Sequence, residues 1–242
     1  MKNIGAFFDI DGTIFRDSLM TTNFNKLVKH EVIDNKVYYN EVKEVEEDWV
    51  RRYKKYDEYI EILARVYAEN LKGVDMNYLN FIADKTIDDS FEDIYKYSRE
   101  RLAWHHQQDH CIFFISGSPD FLVSRMAMKY KATDFRGTTY FPDENNRFSG
   151  RISKMWNSEN KDIAMNELVE LYGIDMEKSY AYGDTNGDIS MLRAVGNPIA
   201  INPNKELLMA IREDEYLANR AQIVVERKDN IYILDSNVKI LD

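Results

Sequence analysis

The chain has 242 residues, 44% hydrophobic and 31% charged, a soluble globular balance with enough length for a core that needs no disulfide or structural metal. Its 42 acids against 32 bases leave a net charge of −10, which argues against a nucleic-acid surface. No apolar run approaches a membrane span, Asp9 and Asp11 interrupt the N-terminal one as in no signal peptide, and the lone Cys111 reads as a buried core thiol, so a cytoplasmic α/β protein is expected.

The first predicted element is a short buried strand, Ile4 to Phe8. Between Thr13 and Ser116 the only glycine is Gly73, and the first proline of the chain is Pro119, so long helices are expected there. Tyr38, Val42, Val45, Trp49, Tyr53, Tyr56, Ile60, Leu63 and Tyr67 follow at gaps of three or four, an apolar stripe on one long helix or two consecutive ones. Strands then alternate with helices. Cys111 to Ile115, Ser179 to Tyr182, Pro198 to Ile201 and Ile223 to Val225 read as strands, and Ile231 to Leu234 as a small last one. Helices are predicted near Phe121 to Tyr130, Lys161 to Tyr172, Ile189 to Val195 and Lys205 to Ile211. The alternation implies a parallel sheet covered on both faces. The expected organisation is an α/β core of residues 1–15 and 100–242, interrupted by a helical insertion over residues 16–99.

Ligands of such sheets bind outside the carboxyl ends of the strands. The segments there are Asp9-Ile10-Asp11-Gly12-Thr13, Ser116-Gly117-Ser118-Pro119 and Gly183-Asp184-Thr185-Asn186-Gly187-Asp188. Asp9 and Asp11 are one residue apart and project to the same side of an extended chain. With Asp184 and Asp188 they would repel one another unless a hard cation such as Mg²⁺ sat among them. Ser118-Pro119 reads as the opening of a helix, whose free N–H groups suit an anion such as phosphate. Lys161, in the first turn of its predicted helix, supplies positive charge. Singly, each feature has a plain structural explanation as a turn, a cap or a solvated lysine. Their order along the chain is what gives them weight.

These segments resemble the four motifs of the haloacid dehalogenase superfamily of phosphohydrolases. The first is Phe7-Phe8-Asp9-Ile10-Asp11-Gly12-Thr13, the second Phe114-Ile115-Ser116-Gly117-Ser118, the third Lys161, and the fourth runs from Tyr182 to Leu192. The insertion, and the stretch Gly137 to Ile152, are similar to the phosphoserine phosphatase-like branch, whose fold is a Rossmann-like core with a helical cap inserted after the first strand. The resemblance implies Asp9 as nucleophile, forming an aspartyl-phosphate, and Asp11 as general acid and then base. It implies Mg²⁺ on the Asp9 carboxylate, the Asp11 carbonyl and the Asp184 carboxylate, with Asp188 holding a metal-bound water or Lys161. Ser116, the Gly117 amide and Lys161 would hold the phosphoryl oxygens of a small phosphorylated metabolite. An acid at position 11 disfavours dehalogenation, because the dehalogenases of the superfamily lack one.

Two departures stand out. Phosphoserine phosphatases usually carry Asn just before the last motif aspartate, where this chain has Gly187, with Asn186 one step earlier. Seven residues after the second aspartate they carry a Glu that pairs with the substrate amine; here that position is Ser18, and Arg65 is the nearest counterpart of their cap arginine. Poor activity on phosphoserine is therefore expected. A phosphotransferase using the same site, or a phosphate-ligand binder that has kept the fold, are the alternatives. His105, His106 and His110 read as polar residues preceding a strand rather than a zinc site, and Arg51 to Tyr56 as part of an amphipathic helix.

Overall fold

The protein, seen in a computed structural model that describes residues 2–240, forms two compact units. One comprises residues 2–18, Phe91–Thr138 and 154–240; the other comprises Leu19–Ser90 and Thr139–Ser153. The division differs from the expected 16–99 insertion at both ends. Residues 16–18 and 91–99 belong to the α/β unit, because the returning chain pairs Ile94 with Phe15 and Ser98 donates to the Thr13 carbonyl at 2.6 Å. Residues 139–153, expected in the core, join the helical unit.

The α/β unit is built on β1 (Gly5–Phe8), β2 (Cys111–Pro119), β3 (Asp134–Pro142, up to Thr138 in this unit), β5 (Tyr180–Gly183), β6 (Asn197–Ile201), β7 (Gln222–Arg227) and β8 (Asn230–Leu234). Their order is β3-β2-β1-β5-β6-β7-β8, parallel throughout except for β8, which returns antiparallel on β7. Every residue of β1 is buried, as a central strand covered on both faces must be. Successive side chains serve opposite faces. Phe7 stacks on Phe113 at 4.9 Å and joins the core formed with Ala164, Met165 and Leu168 of helix α8 (Ser158–Tyr172) and Met191 and Leu192 of α9 (Ile189–Ala194). Phe8 stacks on Tyr182 at 4.1 Å, with the rings nearly parallel, and meets the edge of His105 from α6 (Lys96–Gln107).

The predicted strands and helices of this unit are present, with two corrections. β2 runs past Ile115 to Pro119, and its register against β3 shifts between those residues, so Ser116 to Ser118 lie in an irregular stretch of strand. Consequently Ser118-Pro119 does not open a helix: α7 starts at Asp120, with Pro119 extended at its N-cap and no side-chain cap. Strand β3 is an addition to the predicted elements.

The helical unit contains α1 (Leu19–Lys29), the single turn α2 (Asn35–Val37), α3 (Lys43–Val50), α4 (Tyr56–Leu71), α5 (Met76–Ser90) and a hairpin of the far end of β3 with β4 (Phe148–Ser153). The aromatic stripe is interrupted. A π-turn occupies Tyr38–Val42, and a break at residues 51–55, with Arg52 at φ 66°, leaves Tyr53 exposed. Its core is tied by polar contacts: buried Asn23 donates to Thr86 Oγ1 at 2.8 Å and accepts from the Tyr67 hydroxyl at 2.6 Å. Among the described residues no helix is long and apolar enough to cross a membrane.

Behind β1, Arg101 Nε donates to the Tyr182 hydroxyl at 2.9 Å, and that hydroxyl lies 2.9 Å from His105 Nε2. In the tautomer that carries its proton on Nδ1, 2.9 Å from His110 Nδ1, His105 accepts from that hydroxyl at Nε2. Burial, and then the Arg101 charge, push His105 down to about 2. A histidine held neutral on folding stabilises fully above pH 6.5, and that stability is lost as the pH falls below it. On urea denaturation at pH 7.5 and 5.0, His105→Gln should reduce the wild-type loss of stability between those pH values by about 2 kcal/mol. An unchanged loss would place His105 outside the titrating set.

Candidate active site

The site grows from the carboxyl end of β1. Asp9 N–H still pairs with the Tyr182 carbonyl at 3.0 Å, after which the chain turns so tightly that the Ile10 carbonyl receives the N–H groups of Thr13, Ile14 and Phe15. Gly12 stands at the bend with φ 81°, and a Cβ there would fall 2.1 Å from Asp184 Oδ2. Both its conformation and the approach of Asp184 exclude a side chain. Thr13 Oγ1 donates to Asp184 Oδ1 at 3.2 Å, so the turn of the first motif seats a carboxylate from the fourth.

Lys161 comes from the first turns of α8, whose N-cap is Asn157, its side chain accepting from Asn160 N–H. It is 3% exposed, not a solvated helix lysine. Its Nζ donates to Asp9 Oδ1 and to Asp188 Oδ1, each at 2.6 Å. The second oxygen of Asp188 accepts the N–H groups of Asp184 and Thr185 at 3.1 Å, closing a reciprocal cap with Thr185. Asp188 thus anchors both Lys161 and its own loop.

The carboxylates of Asp9, Asp184 and Asp188 offer oxygens within 4.8 Å of one another. The Asp11 carboxylate is not one of this group. Its Oδ2 accepts from Ser118 Oγ at 2.6 Å and from Ser116 Oγ at 3.3 Å, towards the second motif. Three acids beside one lysine leave surplus negative charge in a buried place. Burial first, then repulsion from Asp188 and Asp11, raise Asp9 to about 8 against the pull of Lys161, and Asp184 is pushed well above the usual carboxylate range for similar reasons. Hard oxygen donors with excess negative charge fit a hard divalent cation, Mg²⁺ among them.

Sequence reasoning therefore named the residues that meet here but gave no role to Thr13, nor to Trp156 and Thr138. Thr13 lay inside the first motif, and its hydroxyl directly after Gly12 was the available signal. Trp156 and Thr138 both donate to the Gly117 carbonyl, at 2.8 and 2.7 Å, and nothing in their spacing announced it.

A family model described as haloacid dehalogenase-like hydrolase matches residues 6–193. The chain belongs to this family. Among curated relatives it is 26% identical over 145 residues to an "Inhibition of morphological differentiation protein" of Streptomyces azureus, covering 59% of this chain and 52% of that protein. It is 28% identical over 137 residues to "Phosphoserine phosphatase SerB1" of Mycobacterium tuberculosis, covering 56% and 42% respectively. The chain thus spans about half the length of the curated relatives it matches. Among solved structures, a protein of unknown function from Bordetella pertussis Tohama I superposes with a TM-score of 0.71 at 18% identity, over 88% of this chain and 96% of that one. A substrate-bound phosphoserine phosphatase superposes with a TM-score of 0.62 at 16% identity, over 95% of each chain. At these identities the superpositions establish the shared fold, a Rossmann-like core with a helical insertion after its first strand.

An acid whose pKa is raised on folding contributes stability that is present below its unfolded value and is lost as the pH rises through the folded one. In chelator-containing buffer, stability contributed by Asp9 should therefore decline between pH 4 and pH 8. Asp9→Asn should show a flatter decline over that window in chemical denaturation. Parallel wild-type and variant profiles would show that Asp9 is not held protonated by its surroundings.

Proposed function

We propose that this chain is a Mg²⁺-dependent phosphomonoester hydrolase that works through an aspartyl-phosphate on Asp9. The observation that carries this reading is the division of labour between the two aspartates of the first motif. Asp9 is fixed by Lys161 and faces the carboxylate group, while Asp11 is turned to Ser118 and Ser116. A site that only bound phosphate would need no second carboxylic acid beside the first. The relatives whose names include phosphatase support the same reaction class.

Lys161 holds the Asp9 carboxylate in one orientation, and an oxygen of that carboxylate attacks phosphorus in line. The bond from phosphorus to the leaving oxygen breaks, and Asp11 gives its proton to that oxygen. In the second step Asp11 takes a proton from water, whose oxygen attacks phosphorus, releasing orthophosphate and the free Asp9 carboxylate. Lys161, Ser116 and the Gly117 amide carry the non-bridging oxygens. The Asp9 and Asp184 carboxylates and the Asp11 carbonyl would hold Mg²⁺, with Asp188 behind them anchoring Lys161. When bound, Mg²⁺ would neutralise the surplus carboxylate charge and polarise a phosphoryl oxygen.

Asp9→Asn should abolish turnover, and chelation should do the same reversibly, with Asp184→Ala losing the response to added Mg²⁺. Asp11→Asn should cost on the order of 10² to 10⁴ in rate on an alkyl phosphate but much less on p-nitrophenyl phosphate, whose leaving group hardly needs a proton. Steady-state rates of purified variants decide; substantial turnover by Asp9→Asn, or equal losses for both substrates, would overturn the assignments.

We place the preferred substrate outside phosphoserine. Ser18 is neutral, and Arg65 is engaged by Glu69 at 2.9 Å and Glu41 at 3.6 Å within the helical unit. A substrate charge left unpaired costs roughly 30-fold to several-thousand-fold in affinity. L-Phosphoserine should accordingly rank at least ~30-fold below the best member of a phosphomonoester panel in kcat/KM. A first rank for phosphoserine would mean that other residues meet its ammonium and carboxylate.

A further inference from the structure

Trp156 lies five positions before Lys161, in the segment leading into α8, and it touches two site loops at once. Its indole N–H donates to the Gly117 carbonyl at 2.8 Å, and its ring packs on Gly117 so closely that a Cβ there would stand 2.9 Å from Cδ1. Its own carbonyl would lie 2.9 Å from a Cβ at Gly187. The second contact accounts for the departure at that position: an Asn before Asp188 would run into the Trp156 backbone, so the chain carries Gly187.

We propose that Trp156 is a positioning residue for the phosphoryl-binding loop, acting through Ser116; this rests on the hydrolase reading above. The Gly117 carbonyl accepts from Trp156 and also from Thr138 Oγ1 at 2.7 Å, which uses both of its lone pairs and fixes the peptide plane. A trans peptide then points the Ser118 N–H the opposite way, and it donates to Ser116 Oγ at 3.1 Å. That bond fills one acceptor site of the Ser116 hydroxyl and turns its proton away from the Ser118 amide, toward Asp11. The proton is only loosely engaged, since Asp11 Oδ2 is 3.3 Å away, whereas Ser118 is tightly committed to the same oxygen at 2.6 Å. Ser116 is therefore the hydroxyl ready to turn to an incoming phosphoryl oxygen. Ser118 serves to hold Asp11. The two serines look alike in sequence, and the Trp156 and Thr138 hydrogen bonds set them apart.

The test is a double-mutant cycle on the full-length chain with Mg²⁺, using Trp156→Phe, which keeps a ring but loses the N–H, together with Ser116→Ala. In Trp156→Phe, the KM for p-nitrophenyl phosphate and the calorimetric Kd for inorganic phosphate should rise together by about five- to tenfold, with kcat changed less than about twofold. In the Ser116→Ala background the same substitution should have almost no further effect. Wild-type phosphate affinity in Trp156→Phe, or losses that multiply in the double variant, would overturn the inference. If Trp156→Phe does not fold, Thr138→Ala removes the other donor to the same carbonyl and takes its place in the cycle. A wild-type chain that binds inorganic phosphate but hydrolyses no ester would defeat the hydrolase reading alone, because the calorimetric arm needs no turnover.

Discussion

Lys161 is a buried cation that joins Asp9 to Asp188, with the Asp184 carboxylate beside them, and the carboxyl end of the sheet is arranged around that imbalance. A buried ion pair is a poor source of net stability, since desolvation takes back most of the attraction. Here the charges do not even balance. Neutral donors hold three of the four acids in place, Thr13 on Asp184, two backbone N–H groups on Asp188 and serines on Asp11, while Asp9 is held by Lys161. The result is a set of oxygens fixed in place before any cation or substrate arrives, the condition under which electrostatic preorganisation is strongest.

The apolar structure behind β1 keeps this arrangement rigid. Phe7 and Phe8 divide the two faces of the strand between them, one locked to Phe113 and the helices α8 and α9, the other to Tyr182 and His105. Asp9 follows immediately, and its N–H is held by the carbonyl of Tyr182, the residue on which Phe8 stacks. The first and fourth motifs are thus joined by ring stacking one residue before Asp9 and two before Asp184. Tyr182 is also the hub of a neutral imidazole network, so its orientation is fixed by hydrogen bonds as well as by contact.

Much of this was legible in the sequence. The short apolar runs followed by acids or by Ser-Gly-Ser marked strands whose ends converge, and the expected residues do meet. What escaped detection has physical reasons. β4 fully buries only Phe148 and carries Ser149 and Gly150, so it offers no alternating pattern to read. Tyr53 kept the helical spacing while sitting at a break, because the aromatic stripe cannot register the left-handed conformation of Arg52. Ser118 looked like a helix cap because Pro119 follows it, but its hydroxyl is taken by Asp11, a partner 107 residues away. Trp156 was invisible for a related reason: its hydrogen bond runs to a backbone carbonyl, which no side-chain pattern reports.

The central position of β1 has a consequence for synthesis of the chain. It pairs on one side with β2, which begins at Cys111, and on the other with β5, which begins at Tyr180. Translation at about 5–20 residues per second leaves roughly 5–20 s between β1 and its first neighbour, and about two-thirds as long again before the second. Until β2 is made, Gly5 to Phe8, every residue of which ends up buried, has neither edge partnered by its native strands. An unpaired strand edge is a template for wrong pairing, and β1 waits from Phe8 until Cys111 is made for its first native partner, so the order of synthesis leaves it open in a way the finished sheet conceals.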